Sequence, residues 1–157
     1  MLFKASAHAP DLLPPPPPPR AHRPAGQLED DDEVLLSMAE QLGGFVPLVG
    51  GARASVCLLE LLSTLAMVEE TVVRDKAVES AVKIISGLPS DLVETHAVPF
   101  VQQLAVGEWF TARVSATGLF AVTYAGLGPS ASATEARKAL RTIFVRIAGA
   151  DDPLRSR

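Results

Sequence analysis

Val68-Glu-Glu-Thr-Val-Val-Arg-Asp-Lys-Ala-Val-Glu-Ser80 is the stretch on which the reading of this chain turns. Two acidic residues precede Thr71, and Val73, Ala77, Ala81 and Ile84 then recur three or four apart, one face of an α-helix. The same opening occurs twice more. Asp32-Glu33-Val34-Leu35 and Phe110-Thr111-Ala112-Arg113 each start a helical pattern after an acidic or Gly/Glu turn. Counted from Asp32, Thr71 and Phe110, the fourth positions are 35, 74 and 113, two steps of 39 residues. A further copy, Asp152-Pro153-Leu154-Arg155, follows 42 residues later. Seven residues beyond the three anchors stand Leu42, Ala81 and Phe120, all apolar.

Outward from these anchors the chain reads as helices with short connections. Val34, Leu35, Met38, Leu42 and Phe45 predict a helix that Gly43-Gly44 weaken and Gly50-Gly51 end. The run Glu29–Glu33 then falls at its start, where the helix dipole favours each carboxylate by about 0.3–1 kcal/mol. Val56, Leu59, Leu62 and Leu65 mark a second helix. A third runs from Thr71 to Ile85 and is stopped by Gly87 and Pro89. Ser90, before Asp91, is an N-cap candidate for a fourth through Leu92, Val98, Val101 and Leu104, with Pro99 expected to bend it. Another extends from Phe110 through Val114 and Leu119 to about Tyr124 before the break at Gly126, Gly128 and Pro129. Leu140, Ile143, Phe144 and Ile147 form the last stripe. Strand and hairpin signals are weak.

A helix-pair period near 40 is that of HEAT and armadillo repeats. The fold expected is all-α: a HEAT-repeat α-solenoid segment of about six helices over residues 30–155, two full helix pairs flanked by two half repeats. Arg74 beside Asp75, Arg113 and Arg155 each follow an acidic turn. That pattern suggests a ladder of charge-assisted hydrogen bonds between neighbouring repeats.

Composition sets the outer limits. Of 13 prolines, eight lie in residues 1–24, six of them in the unbroken run Pro14–Pro19. Residues 1–29 are therefore expected to be a disordered tail, with docking of the proline run on an SH3- or WW-type groove ranked below a solvated role. A net charge of -4 lacks the basic footprint of a nucleic-acid binder. No apolar run approaches the ~20 residues of a membrane helix. Cys57 is the single cysteine, so no internal disulfide or cysteine-rich metal site is expected. Flanked by Val56 and Leu58, it reads as a buried core residue. His8 and His22 fall in the tail, and His96 reads as an ordinary helix residue. No nucleophile elbow or phosphate loop occurs. No catalytic residue, metal or cofactor is expected, and the hydrolase alternative has no residues to support it.

Three stretches carry a more specific resemblance: Val68–Ser80, Asp32-Glu-Val-Leu-Leu-Ser-Met-Ala-Glu-Gln-Leu-Gly43 and Gly107-Glu-Trp-Phe-Thr-Ala-Arg-Val-Ser-Ala116. Together they resemble the scaffold (A) subunit family of serine/threonine protein phosphatase 2A, over about residues 30 to 155. The resemblance implies a non-catalytic HEAT solenoid that docks other subunits along the turns joining the two helices of each repeat. Carried onto this sequence those turns are Val68–Thr71, Gly107–Phe110 and Gly149–Pro153. The implied partner-binding residues are Glu69, Glu70, Glu108, Trp109, Phe110, Asp151 and Asp152, with Trp109 first among them. The competing readings are that Trp109 packs on the helix it precedes and that the carboxylates only complement helix N-termini.

The resemblance further implies that the partner is a phosphatase regulatory subunit. The catalytic subunit is not expected to bind directly, because the family's C-terminal repeats are missing from the match. Leu140, Ile143, Phe144 and Ile147 would then form an apolar stripe without its usual covering helix. A generic helical-repeat adaptor and a truncated product with little independent function are the alternatives. The expected location is the cytoplasm, with the nucleus also compatible.

Overall fold

The computed structural model describes residues 25–149, with side-chain surroundings from Asp31 onward. Its helices are α1 (Ala25–Leu42), α2 (Cys57–Leu65), α3 (Thr71–Gly87), α4 (Ser90–Leu92), α5 (Val98–Val106), α6 (Phe110–Thr117), α7 (Phe120–Gly126) and α8 (Ala131–Ala148). There is no strand among the described residues. α4 runs through a π-helical turn, Val93–Ala97, straight into α5. α6 and α7 follow each other with only Gly118 and Leu119 between them.

Six helical rods therefore alternate between two layers. α1, α3 and the α6–α7 rod form one layer; α2, α5 and α8 form the other. Within the layers α1 packs on α3, α3 on α6 and α7, α2 on α5, and α5 on α8. Between the layers α2 packs on α3, α5 on α6, and α7 on α8. This is a helical-repeat solenoid segment, as the period requires. Grouped at the acidic turns, α2–α3 and α4/α5–α6/α7 are the two pairs, with α1 and α8 on either side.

The core lies between the layers. Leu62, Leu65, Val73, Ile84, Leu104, Leu119 and Leu140 are among its fully buried side chains. The periodic positions Leu42, Ala81 and Phe120 are all buried, as the 39-residue step predicts. Hydroxyl groups tie the rods together where apolar packing alone would let them slide. Ser80 Oγ donates to the Ala39 carbonyl, Ser115 Oγ to that of Ala66 at 2.7 Å, and Thr111 Oγ1 to that of Met67 at 2.9 Å.

Several boundaries depart from the sequence reading. α1 begins at Ala25, inside the segment assigned to the tail, so Glu29–Glu33 lie within the helix and not in its first turn. Ala25, Gln27 and Leu28 favour helix, which is the local reason for the early start. α1 also ends at Leu42, leaving Phe45 in the following turns. Gly43 follows at a close approach to α3: a Cβ there would lie 3.0 Å from Ser80 Oγ and 3.1 Å from Ser80 Cα. Gly50 and Gly51, at φ 100° and 92°, then turn the chain through the left-handed region.

Ser90 is the first helical residue and does not cap; Pro89 holds the cap position. Pro99 sits in the first turn of α5. It has no N–H to give the Thr95 carbonyl, and the chain widens into the π turn immediately before it rather than bending at mid-helix. The rod from Phe110 is broken at Gly118-Leu119, where a Cβ on Gly118 would meet Val78 Cγ1 at 2.8 Å.

Candidate functional site

Two turns on one edge of the molecule carry the residues singled out in the sequence. Ala66–Glu70 joins α2 to α3, and Gly107–Trp109 joins α5 to α6. The hydrogen bond from Thr111 to the Met67 carbonyl sets the two turns side by side. Glu69, Glu70, Glu108, Trp109 and Phe110 are all exposed on this edge. Trp109 is 70% exposed and Phe110 64%, so neither ring is spent on local packing. Asp151, Asp152 and Arg155 lie outside the described residues.

The arginines do something other than the expected ladder. Arg74 Nη1 donates to the carbonyls of Val68, at 2.8 Å, and Glu69, and Nη2 donates to Thr71 Oγ1 at 3.0 Å. Arg113 Nη1 donates to the carbonyls of Gly107, at 2.7 Å, and Glu108, at 3.0 Å. In both copies the guanidinium folds back six and five residues onto the turn that precedes its own helix. These contacts satisfy carbonyls of the turns that follow α2 and α5, and each fixes its turn. Asp75 is exposed on α3, one residue beyond the clamp.

Carboxylates on the edge have distinct local roles. Glu70 occupies the N-cap position of α3, its side chain accepting from Val72 N–H at 3.4 Å. The capping reading therefore describes Glu70, while Glu69 and Glu108 offer their carboxylates to solvent. Farther along α3, Lys76 is held above its ordinary pKa by its hydrogen bond to Glu79 and that carboxylate's charge.

Away from the edge, a cleft of about 570 Å³ opens between α2 and the α4–α5 rod, with Cys57, Glu60, Thr64, His96 and Gln103 in its walls. Cys57 is exposed, against the expectation of a buried thiol. Its neighbours Val56 and Leu58 point elsewhere because successive helical residues are about 100° apart. In the folded chain Cys57 should react with a thiol reagent at a rate near that of the urea-unfolded protein; protection of a hundredfold would contradict this placement. No group of three or more His, Cys, Asp or Glu that could hold a metal ion occurs among the described residues. Among the same residues no helix is long and apolar enough to cross a membrane.

Comparison with known proteins gives the edge a context. No protein-family model matches the chain. It is 50% identical, over 125 residues, to a Caenorhabditis elegans protein described as a probable serine/threonine-protein phosphatase PP2A regulatory subunit. It is 53% identical over 95 residues to the serine/threonine-protein phosphatase PP2A 65 kDa regulatory subunit of Drosophila melanogaster. Against the protein phosphatase 2A scaffold subunit of Dictyostelium discoideum it is 46% identical over 127 residues. These matches cover 80%, 60% and 81% of this chain but only 20%, 16% and 21% of the respective relatives. The chain thus spans about a fifth of the length of the relatives it matches.

Proposed function

The chain is a relative of the protein phosphatase 2A scaffold (A) subunits, and from that kinship we propose that it is a non-catalytic scaffold segment. In this reading it holds a regulatory subunit of the phosphatase along the edge formed by Val68–Thr71 and Gly107–Phe110. The observation that carries the reading is Trp109: a ring 70% exposed, on a turn fixed from behind by Arg113. An exposed aromatic on a rigid support loses little conformational entropy on binding, and such rings dominate interface energetics. Glu69 and Glu108 flank the anchor and select a basic partner surface. The catalytic subunit is not held directly, and the complex forms in the cytoplasm.

The test is binding of the full chain to purified regulatory and catalytic subunits. Trp109→Ala should weaken regulatory-subunit binding at least thirtyfold, about 2 kcal/mol, while leaving thermal stability unchanged. Binding that survives both Trp109→Ala and Glu108→Ala would remove this edge as the site. Tight binding by the isolated catalytic subunit would overturn the division of partners.

A further inference from the structure

The 39-residue period shows which positions an internal helix buries, and two faces of this chain depart from it. On α3 the residues Val73, Ala77 and Ile84 are fully buried, where α3 packs on α2. Thirty-nine residues later Ala112, Ala116 and Thr123 are fully buried as well, in the rod whose α6 packs on α5. The matching residues are Val34 and Met38 on α1 and Phe45 in the turns just beyond it, which stand 60%, 37% and 38% exposed. α1 therefore presents the face that its two counterparts apply to a helix of the other layer.

α8 departs in the complementary way. Leu65 and Leu104, and beside them Ala66 and Ala105, are buried at the ends of α2 and α5 that meet the next helix of the first layer. Their counterparts on α8 are Ile143, half-buried, and Phe144, 45% exposed. Phe144 packs edge-on against Phe120, ring centroids 5.3 Å apart, at the margin of an apolar groove of about 550 Å³ that also takes in Tyr124, Leu140 and Val145.

We infer that these two faces fit each other: α1 of one copy of this chain seats on α8 of another, as α3 seats on α2 and α6 on α5. Charge points to the same partner. α1 contains six acidic residues and no basic one, whereas α8 carries four basic residues against Glu135. Arg141 lies in the groove itself. The segment before α1 is a poor substitute for a covering helix, because Pro14–Pro19 has no backbone N–H to build one. The contact joins different surfaces, so copies add head to tail and the assembly is open-ended.

Sedimentation of the full chain over a range of concentrations reads this directly. Above the 16.6 kDa of one copy, the average mass should rise continuously with concentration and not stop at a dimer. Raising the salt from about 0.05 to 0.5 M should shift the rise to roughly tenfold higher concentration, because the charged part is screened. Val34→Asp with Met38→Asp blocks the head, and Val145→Asp blocks the tail. Each variant alone should be monomeric, and an equimolar mixture should give a 1:1 dimer, since one intact head and one intact tail remain. Recovery on mixing also shows that both variants are folded. A wild-type chain that is monomeric throughout, or a mixture that fails to pair, overturns the inference. Self-association of the tail-blocked variant alone would also overturn it, in favour of symmetric pairing through α1. A chain that associates only after residues 1–24 are removed would assign the α1 face to that segment instead.

Discussion

Leu104→Ala should lower the free energy of unfolding by about 3 kcal/mol, and Ile143→Ala, one period later, by roughly 1 kcal/mol. Leu104 is 1% exposed in α5, a rod that packs on α2 and α8 in its own layer and on α6 in the other. Truncation there removes a side chain from all its neighbours and leaves a cavity that rigid rods on both sides cannot collapse. Ile143 occupies the same repeat position on α8, yet no described helix closes over it and it stays half-buried. Water fills the space left by its truncation, so only part of the transfer term is lost. Urea unfolding of the dilute protein measures both values. Equal losses would mean that α8 is covered as fully as α5. A cost at Ile143 that grows with protein concentration would mean that another copy covers it.

The contrast between those two sites also marks what was legible in the sequence. Period and helical spacing located the rods, because the residue seven beyond each anchor faces the core whatever its neighbours do: Leu42, Ala81 and Phe120 are all buried. The interruptions were less legible, since they answer to other rods. Gly118 breaks the α6–α7 rod where Val78 of α3 comes within reach, a contact 40 residues away in sequence. Cys57 looked buried because its immediate neighbours are apolar, but burial on a helix follows i, i+3 and i+4 rather than adjacency.

The edge was legible in its residues and not in its wiring. Glu69, Glu108 and Trp109 could be placed in turns from the pattern alone. The destination of the two arginines could not. Acidic side chains and free carbonyls both lie within five or six residues of each guanidinium, and the fold of the turn decides between them. The 70% exposure of Trp109 is similarly a product of the turn: with Trp109 in the extended N-cap position of α6, its ring stands off the helix it precedes.

Arg113→Ala should therefore cost about 2–3 kcal/mol of stability and loosen the turn that bears Trp109. Arg113 is only 7% exposed, and its Nη1 serves two carbonyls. A hydrogen bond from a charged group contributes about 1.5–3 kcal/mol. The estimate lies below twice that value because Glu108 is exposed and Gly107 partly so, which lets water reach the released carbonyls. Arg113→Lys should recover less than half of the loss, since the lysine ammonium stops about one bond short of the Nη1 position from which both carbonyls are reached. Arg74→Ala should cost less than Arg113→Ala, the Arg74 clamp being more open to solvent. Trp109 is the only tryptophan, so its fluorescence anisotropy reports on this turn without labelling. Arg113→Ala should lower that anisotropy and weaken partner binding, although Arg113 itself lies behind the contact edge. Arg74→Ala should leave the anisotropy unchanged. Unaltered anisotropy in Arg113→Ala, with a stability loss below about 0.5 kcal/mol, would show that the turn holds its shape without the clamp.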